Sequence, residues 1–254
     1  MIYINENDEL KIYRGEDFIV SKHIKIHQAS LSEICDYGER EYYSMLHQLT
    51  ATPQSMKFQL WDMGIDYTTL TPYQLFYNVL FKLFTQEKTS IIFGNLDFTK
   101  FEYAQRKDND DILLFQLVEN GDSYDEVIID EYTYEMIMDY LRKSHFLDKD
   151  EKIPANETTK MILIDDARED YEKNKNREYH SQLKNLVSSM INCEGFKYNH
   201  SQVWEMKINA FMDSVERISK IKNAGLLLQS GYSGYGINLK DIDKKQLDWL
   251  GELE

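Results

Sequence analysis

The chain has little of what fixes a fold by covalent means. Two cysteines, Cys35 and Cys193, lie far apart among 254 residues. That excludes the disulfide framework of a small secreted domain and suits a reducing compartment. Prolines number three against 18 tyrosines, with much Ile, Lys and Asn. Such usage goes with AT-rich genomes, those of low-GC bacteria or their phages, by association and not by chemistry. No apolar run approaches the length that spans a bilayer. The segment MIYINENDELKIYRG has neither a basic start nor a continuous apolar stretch, so no secretion leader is expected. Without one, the acceptor patterns at 156–158 and 199–201 carry no glycosylation reading.

Positive charge is also short. Lys and Arg number 29 against 44 Asp and Glu, a net charge of −15. Nucleic acids and anionic membranes are bound by neutralising phosphates with Lys and Arg. The densest basic stretches, RISKIK at 217–222 and Lys244-Lys245, have acidic neighbours. Neither nucleic acid nor a membrane is expected as partner.

What is present is an ordinary globular composition, 42% hydrophobic and 29% charged, long enough for one large domain or two small ones. MIYIN, LKIYRG and FIVSKHIKIH predict short N-terminal strands. In the last, Ile24 and Ile26 alternate with His23, Lys25 and His27, which puts the two sets on opposite faces. Ser30 or Ser32 can cap a helix through EICDYGEREYYSMLHQL, with Glu33 completing a capping box. PQSMKFQLWDMG reads as a helix with Pro53 near its start and Gly64 at its end. Thr71 caps PYQLFYNVLFKLF, apolar on a broad stripe and therefore buried. Between about 89 and 130 an antiparallel sheet is expected from SIIFG, DFTKFEYAQR, DILLFQLVEN and DEVIID, with Asn120-Gly121 as a hairpin turn. From Asp108 to Glu131 there are nine acidic residues and no Lys or Arg.

Asp130 can then cap EYTYEMIMDYLRKSHF. DKDEKIPANE is the best linker, ending at Asn156 as a cap. Helices are expected over roughly 157–175, 177–193 and 201–229, the last capped by Ser201. In it Trp204, Ile208, Phe211, Val215, Ile218 and Ile221 form a stripe. The fold class is thus α+β: a mostly helical body with an N-terminal strand region and a small central antiparallel sheet. Residues 1–150 form a mixed region, and 151–254 a helical one containing the long helix.

Few motifs carry chemistry. GYSGYG at 231–236 has three glycines but follows a helix and lacks the Lys-Ser/Thr of a phosphate loop, so Gly231 reads as a left-handed helix stop. His23 and His27 share a face and in principle could hold a metal, or simply form a polar surface. In IDDARED, Asp165 faces Glu169 and Asp166 faces Asp170 at i,i+4, either as a two-metal hydrolase site or as an acidic face relieved by Arg168 and later lysines. KDNDD at 107–111 lacks the glycine and closing glutamate of a calcium loop. Nuclease and serine hydrolase signatures are missing as well. No catalytic residue, metal or cofactor is therefore assigned.

The tail IDKKQLDWLGELE is short and amphipathic. It either docks on its own domain or meets a partner. Trp249 and Leu250 of the tail, with Tyr232 and Tyr235 of the glycine-rich turn, are candidate partner-binding residues. Met206 and Met212 join them, because methionine repacks around varied partners, although filling the core is the commoner role of such methionines.

SLSEICDYGEREYYSML and LTATPQSMKFQLWDMGIDY resemble proteins of the tail gene clusters of phages infecting Gram-positive bacteria. FKYNHSQVWEMKINAFMDSVERI and SGYSGYGINLKDIDKKQLDWLGEL resemble the C-terminal part of the same group. The resemblance implies a tail assembly chaperone, or a structural baseplate or tail component, with other tail proteins (tube, tape-measure or baseplate) as partners. It further implies a place in the host cytoplasm during assembly, or in the virion tail. No catalytic residue is carried over, because the group offers no motif to transfer. Tail assembly chaperones are often shorter and more helical, so the central strands leave the structural role open.

Overall fold

A computed structural model describes residues 6–106, 111–233 and 236–253. The expected strand MIYIN and most of KDNDD lie outside the described residues, as does Tyr235. The fold class is as expected: mostly helical, with a two-stranded and a three-stranded antiparallel sheet.

The N-terminal segment departs from the strand expected of it. LKIYRG does not form a strand but lies at the end of helix α1, Glu6–Tyr13. Gly15, at φ +74, ends it: its N–H donates to the Ile12 carbonyl at 2.9 Å, and Glu16 N–H donates to Lys11 at 3.0 Å. This is a Schellman closure, for which the glycine is required. Burial of Ile12 against the body outweighs the β-branched composition.

Strands β1 (Phe18–Ile19) and β2 (Lys25–Ile26) pair antiparallel. Ile24 and Ile26 are fully buried, as the alternation predicted. The basic face is tied to carboxylates from several elements. Lys22 and His23 reach Asp125 at 2.5 and 2.7 Å, Lys25 and His27 reach Asp17 at 2.6 and 2.7 Å, and His27 Nε2 meets Glu33 at 3.0 Å.

Ser30, not Ser32, caps α2 (Leu31–Tyr37), with Glu33 completing the box. The single helix expected through residue 49 breaks at Gly38, whose φ of +104 no helix accommodates, and α3 (Glu39–Leu49) follows. Helix α4 covers only Lys57–Asp62, so Pro53 sits in the turns before it. Thr71 and Gln74 form a capping box on α5 (Pro72–Leu75). The chain then winds on as a π turn, Phe76–Leu80, and a 3-10 turn, Phe81–Leu83. SIIFG is a second correction: it ends helix α6 (Gln86–Phe93), capped by Thr85 and stopped by Gly94 at φ +61. A short apolar run cannot be told from a strand by periodicity, and the flanking caps decide.

The central sheet therefore begins at residue 102. Its strands β3 (Glu102–Gln105), β4 (Ile112–Asn120) and β5 (Ser123–Ile129) lie in that order. Asn120 pairs with Ser123 across the two-residue turn Gly121-Asp122, with Gly121 at φ +65. The hairpin that Asn120-Gly121 signalled is formed, with its turn one residue further along than that pair.

Asp130 caps α7 (Glu131–His145). Residues 147–156 are irregular, and Asn156 caps α8 (Glu157–Asn174), as read from sequence. Helix α9 spans Gln182–Ile191. The long helix α10 is Ile208–Tyr232 and does not start at Ser201. Asn199 instead takes the N–H groups of Ser201 and Gln202 on its side chain at 2.9 and 3.0 Å, a local turn. Met206 and Lys207 then run extended along Ala29–Leu31, with Leu31 N–H on the Met206 carbonyl and Ile208 N–H on that of Ala29, both at 3.0 Å. Helix α11, Lys244–Leu247, closes the series.

The core is rich in aromatics, among them Tyr42, Phe76, Phe84, Phe98 and Tyr134. Ile164, Leu183, Val187, Met190 and Phe211 from beyond the linker join the same cluster. Within it, His145 Nδ1 donates to the Leu141 carbonyl at 2.8 Å, which leaves Nε2 to accept from the Tyr42 hydroxyl at 2.6 Å. Burial pushes the imidazole down to about 4. The unfolded chain takes up that proton near pH 6.5 and the folded one only near 4, so stability falls as pH drops through this window. The contribution is about 3 kcal/mol. Denaturant titrations across pH 7 to 4 should show this loss in the wild type, and His145→Gln should lack that component.

Candidate partner-binding surface

Helix α10 is longer than the core it serves. Ile208 and Phe211 are buried in its first turns, and Asn209 Nδ2 donates to the Lys143 carbonyl at 3.3 Å. Val215 and Ile218 are half-buried, and Ile221 is already exposed. Beyond it only Ala224 is buried. The stripe legible in the sequence thus leads out of the body.

The tail folds back along this helix. A 3-10 turn, Leu239–Asp241, brings Leu239 against Gly231, and α11 leads down to Arg217. The Arg217 guanidinium donates to the Trp249 and Gly251 carbonyls, each at 2.7 Å, and Lys220 Nζ to Glu252 at 2.5 Å. Residue 239 beside 231 and residues 249–252 beside 217–220 define an antiparallel return. Of the two readings of the tail, docking on its own domain is the one seen.

Gly231 is not the helix stop expected of it. The helix runs through it to Tyr232, with Ser233 as cap. Its lack of a side chain serves packing instead, since a Cβ there would overlap Leu239.

The candidate residues do not form one patch. Tyr232 is 81% exposed at the far end of α10, while Leu250 and Trp249, 74% and 46% exposed, lie beside Arg217. Fifteen residues of helix separate the two places, about 22 Å. Met206 is buried in the core with its carbonyl bonded to Leu31, and Met212 packs half-buried against that core. Neither presents an open surface, because the extended segment before α10 is clamped against Ala29–Leu31. Leu226, exposed on α10, was missed; the LLL run at 226–228 was its signal.

A groove of about 800 Å³ runs beside the arm, lined by Ile12, Arg142, Phe146, Asp213 and Leu253. Burial raises the Asp213 carboxyl above its ordinary value, partly offset by Arg217.

The carboxylates of IDDARED lie on α8, and Arg168 binds both Asp165 and Asp62 while Lys173 holds Glu169 at 2.8 Å. Among the described residues no group of three or more His, Cys, Asp or Glu is placed to hold a metal ion. No described helix is long and apolar enough to cross a membrane.

Residues 172–254 match a family described as the YomV second domain. YomV is a phage-related protein of Bacillus. The matched third of the chain takes in the end of α8, α9, α10 and the folded-back tail, and so includes the arm together with helices packed on the core. No curated protein and no solved structure matches the chain.

Two glycines of α10 test the packing of the arm. Gly225→Ala has open space around the new methyl and should raise stability by about 1 kcal/mol through helix propensity. Gly231→Ala gains the same propensity but displaces Leu239. It should free the tail, read as faster protease cleavage and hydrogen exchange over residues 236–253.

Proposed function

We propose that the protein works in phage tail assembly by binding other tail proteins, as an assembly chaperone and without a covalent step. The observation that carries the reading is the arm: α10 and the returning tail leave Leu226, Tyr232, Trp249 and Leu250 exposed. Large apolar and aromatic side chains in water favour association, and aromatics are enriched where proteins meet. That the same arm resembles a domain of a phage-related protein supports the setting. The partner would be a tube, tape-measure or baseplate protein. The hydrolase reading gains nothing from α8, where Arg168 and Lys173 already engage Asp165 and Glu169.

Affinity capture from phage-producing cells, with the captured protein identified, tests this. Wild type should retain a tail protein, and Tyr232→Ser/Leu250→Ser should weaken that capture at least about tenfold at unchanged melting temperature. Purified virions should lack the protein. Its recovery there in stoichiometric amount would replace the chaperone with a structural tail component, and capture of no tail protein would end the assembly reading.

A further inference from the structure

The three-stranded sheet has two apolar faces, and only one of them is covered by the body. Leu114, Val127 and Ile129 face inward and are buried. The pleat turns the alternate residues outward: Ala104, Leu113, Phe115, Leu117, Tyr124 and Ile128. Ala104 lies opposite Leu113, and Phe115 opposite Ile128. Leu113 is itself buried at 9% exposure, while the other five neither belong to the main core nor pack against it. Leu117 and Tyr124 are 54% and 64% exposed. An antiparallel strand with one wet face alternates apolar and polar residues, whereas β4 reads Ile-Leu-Leu-Phe-Gln-Leu-Val, the pattern of a strand covered on both sides.

The same outer face is acidic. Glu102 sits opposite Phe115, Glu126 opposite Leu117, and Glu119 opposite Tyr124. Among the described residues no Lys or Arg pairs with these three carboxylates, and Arg106 at the end of the face is held by Asp130 at 2.8 Å. We propose that this outer face docks a basic amphipathic segment of another protein. The segment lays its apolar side chains across Phe115, Leu117 and Ile128 and sets Lys or Arg against Glu102, Glu119 and Glu126. A second copy is disfavoured, because the face would meet itself carboxylate on carboxylate between chains of net charge −15. Anionic lipid and nucleic acid are repelled for the same reason. The proposal deepens the protein-binding reading above and rests on it for its partner in the cell.

The test uses the full chain and a fluorescent amphipathic peptide of Lys and Leu, followed by anisotropy. Wild type should bind it, more weakly as salt rises, and should not bind a Glu/Leu counterpart. Leu117→Ser/Tyr124→Ser and Glu119→Lys/Glu126→Lys should each lose at least about tenfold in affinity. The second pair alters exposed side chains only and keeps the test valid if the first perturbs folding. Asp165→Lys/Glu169→Lys makes the same charge change on α8 and should bind as wild type does. An equal loss in this control would reduce the binding to general charge attraction and overturn the proposal. So would full affinity in the Leu117→Ser/Tyr124→Ser protein, or a wild-type dimer that this variant dissociates in sedimentation. The capture experiment above separates the two levels. Sheet variants that lose the peptide yet still capture the tail protein overturn the sheet as its dock and leave the assembly reading standing. Peptide binding mapped to the sheet, with no tail protein captured, supports the surface and ends the assembly reading.

Discussion

Eight residues of α7, from Tyr134 to His145, are buried, and most of the body leans on that one face. Tyr134 meets Phe76 and Tyr73, with ring centroids 5.0 and 5.4 Å apart. Tyr140 stacks on Phe18 at 4.7 Å. Tyr42 reaches His145, the Arg142 guanidinium donates to the Thr50 carbonyl at 2.9 Å, and Asn209 holds the Lys143 carbonyl. Each large apolar side chain contributes about 1.5–3 kcal/mol when buried. The polar contacts matter for a different reason: a buried donor or acceptor left alone costs about as much as such a side chain contributes. The hydrogen bonds therefore fix the direction from which α3 and α10 may approach, and the aromatics supply the adhesion.

Because α7 is held so firmly, what flanks it is placed as well. The β-sheet runs directly into it, since β5 ends at Ile129 and Asp130 is already the helix cap. Helix α10 starts against Lys143 and then outruns the body. The two exposed apolar surfaces, the arm and the outer sheet face, thus have a common anchor. They differ in charge. The sheet face lies mostly in the stretch with nine acids and no Lys or Arg between Asp108 and Glu131, while the arm mixes Arg217, Lys220 and Lys222 with Asp213, Glu216 and the acidic residues of the tail.

Where local chemistry had no competitor, the sequence was legible. Thr71, Asp130 and Asn156 cap the helices they were expected to cap, and Ser30 with Glu33 proved the right one of two candidates, because a cap needs only a few neighbouring residues. The hairpin signalled near Asn120-Gly121 and the Ile24/Ile26 alternation are local in the same way. Misreadings arose where one signal serves two structures. Gly15 and Gly94 close segments read as strands and are helix ends. Gly38 broke a helix that periodicity carried through it, and Gly231, which looked like a stop, makes room for Leu239. A glycine announces an unusual backbone or a close neighbour, and the sequence does not say which.

What the sequence by itself determined is the set of elements that caps and periodicity specify, the acidic balance, and the apolar pattern of β4 on both faces. What only the tertiary structure decided is which of those apolar positions stay in water. Tyr232, Leu250, Leu117 and Met206 are equivalent by composition, yet three are exposed and Met206 is buried. The physical reason is that burial depends on contacts between residues far apart along the chain, such as Leu31 with Met206 or Asn209 with Lys143, and no local pattern encodes those.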